Sequence, residues 1–97
     1  MTSVKSKVPN HKLIQRDVLA KYWETLKEMG KTKDDIAVES SNSKETVRKV
    51  FVGISHNKIV LNLLQELFLQ VPQFKGKLPA DLKNMFKKSL SIQEKVN

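Results

Sequence analysis

Apolar residues recur along this chain in steps of three and four, and a few polar residues, glycines and prolines interrupt them. Val18, Tyr22, Leu26 and Met29 form one stripe with Leu19 and Trp23 beside it, which predicts a helix over about 15–29. Gly30 ends it. Thr32 opens a second, short helix. The run T-K-D-D has the spacing of a capping box, with Asp35 reaching back to the amino end. Ile36 and Ala37 supply its apolar face, with Val38 a further candidate. The run S-S-N-S at 40–43 breaks it, because serine and asparagine favour caps and turns. Ser43 or Asn42 caps a third helix over 43–53, which Gly53 terminates. A fourth helix over about 57–71 presents Ile59, Val60, Leu63, Leu64, Leu67 and Phe68, and Pro72 stops it. The stretch Q-F-K-G-K reads as a loop. Pro79 suits the first position of a fifth helix over 79–90, with Leu82, Met85, Phe86 and Leu90 on one stripe. The last residues, S-I-Q-E-K-V-N, are expected to fray. No segment alternates as a strand does. The expectation is an all-α fold: one compact domain of four to five helices.

Charge changes this picture at the ends. The chain has 97 residues and a net charge of +8. Residues 1–12 hold Lys5, Lys7 and Lys12 with no acid. Residues 75–97 hold six lysines against Asp81 and Glu94, and residues 13–74 are nearly neutral. The organisation expected is a basic, flexible arm over 1–12, a domain over 13–90 and a tail over 91–97. A basic balance of this kind favours a polyanionic partner. Basic tails that only keep a small protein soluble are the plainer reading.

Several function classes lack their chemistry. There are no cysteines, so there is no disulfide framework or thiolate metal site, which suits a reducing cytoplasm. His11 and His56 are the only histidines and lie far apart in sequence, so no metal site is expected. No apolar run approaches the ~20 residues of a membrane span, and no signal-peptide pattern opens the chain. Neither a nucleophile motif nor a phosphate-cradling glycine loop is present. An enzyme is not expected, nor a cofactor.

The third helix carries the functional reading. Val47, Val50, Phe51 and Ile54 follow i, i+3, i+4, i+7; Glu45, Arg48, Lys49 and Val52 repeat that spacing on the opposite side, with Lys44 at the leading edge. One stripe is an anchor and the other a reading surface. With the short second helix and a turn of about four residues before it, this is the layout of a helix-turn-helix. Ala37 supplies the small residue such a crossing needs.

Residues 33–68, K-D-D-I-A-V-E-S-S-N-S-K-E-T-V-R-K-V-F-V-G-I-S-H-N-K-I-V-L-N-L-L-Q-E-L-F, resemble the lambda-repressor-like (Cro and repressor type) DNA-binding domain. Ile36 and Ala37 match the aliphatic-alanine pair of its scaffold helix. Val47 and Val50 match the aliphatic positions of its recognition helix, and Gly53 its closing glycine. The resemblance extends over about 13–71. It departs at the turn, where an apolar residue, a glycine and another apolar residue are usual and Ser40, Ser41 and Asn42 stand here. Serine accepts the glycine's backbone angle with strain, and the neighbouring Asn42 accepts it more readily, which allows a turn moved by one residue.

The resemblance implies a sequence-specific binder of double-stranded DNA, a small transcriptional regulator acting as a homodimer. Lys33 would contact phosphate. Ser43, Lys44 and Glu45 would face base edges or phosphate, with Arg48 and Lys49 a turn further on. Ser55, His56, Asn57 and Lys58 would meet one strand's backbone. Arginine or lysine can bond guanine, glutamate can accept from cytosine, and Val52 can touch a thymine methyl. Simpler roles stand beside these. Lys44, Arg48 and Lys49 would then only solvate a helix face, Glu45 with Lys49 would be a surface pair, and Tyr22 and Trp23 would be core. Leu82, Met85, Phe86 and Leu90 would serve either as a dimer contact or as a lid on the fourth helix. Two other functions compete. One is a helical protein-interaction module, including an antitoxin-like protein that grips a toxin. The other is a membrane-surface role for 79–90, with Lys83, Lys87 and Lys88 on its polar side.

Overall fold

The computed structural model describes residues 11–92. Most of the expected arm, 1–10, and residues 93–97 of the expected tail lie outside that range. The fold is all-α. Its helices are α1 (His11–Glu28), α2 (Lys33–Ser40), α3 (Lys44–Phe51), α4 (Lys58–Leu69) and α5 (Ala80–Ser91), with a 3-10 turn at Pro72–Phe74. No helix among the described residues is long and apolar enough to cross a membrane.

Local chemistry sets the boundaries. Thr32 and Asp35 form the full capping box on α2: the Thr32 hydroxyl accepts from the Asp35 amide at 3.1 Å, and the Asp35 carboxylate accepts from the Thr32 amide at 2.9 Å. Those bonds hold the Asp35 carboxyl below its ordinary range, the backbone one most of all. Ser43 caps α3 and Asn57 caps α4, each accepting an amide three residues on. Pro79 is the residue before α5 rather than its first helical position. Gly53 ends the α3 region with φ of +90°, and a Cβ there would come within 2.1 Å of the Lys12 carbonyl oxygen. Only glycine fits this close approach of α1 to the α3 terminus.

The core is continuous. Leu19 and Leu26 of α1, Ile36 and Ala37 of α2, and Val47, Val50 and Phe51 of α3 are buried in it. So are Val60, Leu61, Leu64, Leu67 and Phe68 of α4 and Leu82, Met85 and Phe86 of α5. Phe74 closes one corner, edge-on to Tyr22 and beside Phe68. Helix α1 is the central post. Arg16, Ala20 and Trp23 border α3's Phe51 and Val52, whereas Ile14 and Val18 border α5 and Tyr22 bonds to Asp81. At about 100° per residue those two sets lie roughly 180° apart on the helix. Thus α3 and α5 lie to either side of α1's buried line, and Gln15 on that line bonds to both.

The structure corrects the expected faces in four places. First, α1 starts at His11, so His11 and Lys12 belong to the helix rather than to an arm. Its buried line is Gln15, Leu19 and Leu26; Val18, Tyr22, Trp23 and Met29 are only partly buried around it. Second, Val38 is 78% exposed, since it lies opposite Ile36 and Ser40 on α2. Third, Ile54 is exposed, because the helix stops at Phe51 and the three-four period stops with it. Fourth, Ile59 is 61% exposed; the α4 face is centred on Val60, Leu61, Leu64, Leu67 and Phe68, and Ile59 falls well off that centre.

Candidate nucleic-acid interface

Helices α2 and α3 pack against each other across the turn Ser41–Ser43. Ser41 itself takes the left-handed conformation, φ 56° and ψ 37°, so the turn is not moved to Asn42. Bonds offset the strain. The Asn42 amide donates to the Ala37 carbonyl at 3.0 Å, and its side chain donates to the Ser40 carbonyl at 2.9 Å. Ser40 is the last residue of α2. It is buried, and its hydroxyl bonds the Ala37 carbonyl within the same helix.

Val47, Val50 and Phe51 anchor α3, while Ser43, Lys44, Glu45, Arg48 and Lys49 are all exposed on its other side. Their charges are partly matched in place. The Arg48 guanidinium donates two bonds to the Glu45 carboxylate, Nε to Oε1 at 3.0 Å and a terminal amino group to Oε2. That clasp holds the Glu45 carboxyl below its ordinary range. Lys44 reaches Asp34 of α2 at 3.6 Å. The partner of Glu45 is therefore Arg48 at i+3, not Lys49 at i+4.

Lys33, at the first position of α2, sits over aromatic rings. Its ammonium is 4.7 Å from the Phe51 ring centre and 5.4 Å from that of Trp23. The two rings meet edge to face at 5.2 Å. Arg16, Ala20 and Val52 complete a cleft of about 220 Å³ around them. Trp23 is thus a half-buried wall rather than interior core.

The loop after α3 divides between structural and exposed roles. The Ser55 hydroxyl accepts from the Asn57 amide at 3.2 Å, and the Asn57 side chain caps α4. His56 is bonded inward. Lys58 is exposed at the α4 amino end.

The residue that sequence reasoning missed is Gln15. It is fully buried, and its amide nitrogen donates to the Val50 carbonyl at 2.8 Å and the Ser55 carbonyl at 2.9 Å. Its amide oxygen accepts from the Ser89 hydroxyl at 2.7 Å and from His56 Nδ1 at 2.8 Å. An amide oxygen only accepts, so His56 carries its proton on Nδ1. With the Ser89 proton committed to Gln15, His11 Nε2 donates to Ser89 Oγ at 2.7 Å. One side chain thus ties the α3 terminus and the following loop to α1 and α5. The signal available in the sequence was a polar residue four before Leu19, in line with the buried stripe. The histidines, distant in sequence, come within 6.1 Å ring to ring. Among the described residues no three potential metal ligands of the His, Cys, Asp or Glu type gather.

No protein-family model, curated protein or solved structure matches this chain.

Proposed function

We propose that this protein is a sequence-specific binder of double-stranded DNA, a small transcriptional regulator of the lambda-repressor-like type that reads the major groove with α3. One observation carries the reading. An eight-residue helix is fixed by a fully buried stripe, capped by Ser43 and tied at its far end by Gln15, yet it offers solvent a side made of Lys44, Glu45, Arg48 and Lys49. A groove-reading helix needs that combination of a rigid seat and a free polar face. Arg48 and Glu45 approach bases by exchanging their mutual bonds for bonds to guanine and cytosine edges. Lys33, over Phe51 in the last turn of α3, and Lys58, at the amino end of α4, meet phosphates as backbone contacts that fix the register of α3. Ser55 and Asn57 support the Lys58 loop through their capping bonds.

The regulator acts as a homodimer on half-sites about 34 Å apart. Leu82, Met85 and Phe86 are occupied by the core, so the dimer contact uses other residues. Selection of bound sites from a random duplex pool tests the whole reading. Enrichment of an inverted repeat is expected. A pool that emerges without a motif, together with capture of a defined protein partner in the absence of DNA, would replace it with the protein-interaction reading.

A further inference from the structure

The cations of the described residues fall into two groups. Arg16, Lys21, Lys27, Lys31, Lys44 and Arg48 each form an ion pair. Lys12, Lys33, Lys49, Lys58, Lys75, Lys77, Lys83, Lys87 and Lys88 form none among the described residues, and the last five of these lie together in residues 75–92. The one carboxylate of residues 75–92, Asp81, is turned away to α1. It accepts from Lys21 at 2.8 Å and from the Tyr22 hydroxyl at 2.7 Å. Residues 75–92 therefore carry the least compensated positive charge of the described residues.

Its geometry spreads that charge over a surface. Leu82, Met85, Phe86 and Ser89 form the buried side of α5. At about 100° per residue, Lys87 lies opposite them, with Lys83 and Lys88 on the two flanks. On the α4 side Lys83 and Lys77 rim a hollow of about 410 Å³. On the α1 side Lys88 borders a groove that Asp81, Asn84 and His11 also line, with Ile14 and Val18 as its apolar wall. No large apolar side chain of α5 is exposed. A membrane-surface role needs an apolar stripe to insert, and here that stripe is in the core. A protein interface needs an apolar or aromatic anchor at its centre; the outer face of α5 has none there, and the exposed Leu69 and Ile14 lie in the hollows at its two flanks. What fits a broad face of unpaired lysines without an anchor is a phosphate backbone.

We propose that the outer face of α5, with Lys75 and Lys77, is a second duplex-binding surface without sequence preference, so that one molecule holds two DNA segments at once. The duplex contact stands on this face alone; the bridging rests also on the reading of α3. Because α3 and α5 border separate flanks of α1, the two faces are distinct surfaces of one molecule.

The test uses beads carrying a random-sequence duplex, the full chain, and a second labelled duplex in solution. Three variants accompany the wild type: one with Lys75→Gln, Lys77→Gln, Lys83→Gln, Lys87→Gln and Lys88→Gln together, one with arginine at the same five positions, and one with Lys44→Ala, Arg48→Ala and Lys49→Ala. The wild type and the arginine variant are expected to recruit the labelled duplex. The glutamine variant should bind the beads but lose recruitment. Its log–log salt slope should be shallower by about 0.9 for each lysine that meets a phosphate. Recruitment by the glutamine variant at the wild-type level overturns the inference and leaves the α3 reading intact, as does a wild type that binds beads and recruits nothing. If the α3-face variant binds random duplex as the wild type does and the glutamine variant does not, the α5 surface is upheld and the α3 reading falls.

Discussion

The outer faces of α3 and α5 are both basic, and they are built in opposite ways. On α3 the guanidinium of Arg48 is held by Glu45 on the same helix, Lys44 leans on Asp34 of α2, and Lys49 alone of the three cations forms no ion pair among the described residues. On α5 the lysines form no ion pair among the described residues, and Asp81 is bonded to Lys21 and Tyr22. A cation already clasped gains little from a diffuse negative field, because any new partner must outcompete the old one. It gains from a partner that offers matched geometry, such as a base edge. A loose lysine responds to phosphate charge wherever it lies. On the reading proposed above, the clasped Arg48 would serve selectivity and the loose lysines bulk attraction.

The comparison breaks hardest if α3 loses its seat. Val47→Asp buries an unpaired charge and should cost more than about 4 kcal/mol, enough to unfold a small domain. Lys87→Asp on the outer face of α5 should stay within about 0.5 kcal/mol. Urea unfolding followed by circular dichroism checks both. A Val47→Asp protein that melts like the wild type would remove α3's anchor from the account.

A smaller loss should follow Gln15→Leu. It leaves the Val50 and Ser55 carbonyls, Ser89 and His56 without their shared partner, and should cost about 3 kcal/mol. Because the tie runs to the α3 terminus and its loop, binding to a selected site should weaken more than binding to random duplex. Equal losses on both would mean that Gln15 supports the core as a whole and not the seat of α3.

Substitutions on the surface sharpen the comparison further. Arg48→Ala should lose about ten- to a hundredfold in affinity on the selected site and much less on random DNA. Lys33→Ala should weaken both about equally and lower the salt slope by roughly one. Titrations of both duplexes at several salt concentrations separate the outcomes. If Arg48→Ala weakened both duplexes by the same factor, Arg48 would be a backbone contact and the reading face would be rotated.

The smallest effect expected is on pH dependence. Burial holds the His11 imidazole below its ordinary 6.5, with help from the nearby His56 and Lys88. Since the folded state resists the proton and the unfolded state takes it, stability is full above about 6.5 and declines as pH falls below it. Asp81 lies below its ordinary 3.8, chiefly through the Lys21 bond and then that of Tyr22, so a second decline belongs to more acid solution. Melting temperatures across the pH range should show the two stages, with the first flattened in His11→Gln. Neither should depend on Lys87.

Much of the architecture is legible from punctuation. Thr32 with Asp35, Ser43, Gly30 and Pro72 each act through bonds or angles within a few residues, so the sequence displays them directly; Gly53 displays its helix-ending angle but not the close approach of Lys12. The faces are legible only where the period runs long enough. Val47, Val50 and Phe51 are placed correctly within two turns, whereas Ile54 falls beyond the helix end and Ile59 sits where α4 has too many neighbouring apolar residues to reveal its centre. Gln15 was hidden for another reason. Its four partners come from α3, the loop after it and α5, between 35 and 74 positions away in the chain, and no local pattern announces such a meeting. The turn shows the converse. Local preference pointed towards Asn42 for the left-handed angle, and the packing of α2 on α3 gives it to Ser41.

The placement of Trp23 gives the protein an optical gauge of its own. It is the single tryptophan in the chain, its indole rests edge-on against Phe51 in the last turn of α3, and the Lys33 ammonium lies above both rings. Indole emission shifts with the polarity and charge around the ring. A tilt of α3, or the departure of Lys33 towards a phosphate, therefore changes the colour and yield of the fluorescence with no attached dye. Movement of the helix and movement of the lysine are separable in the same cuvette, because the spectrum of Lys33→Ala retains the first and lacks the second.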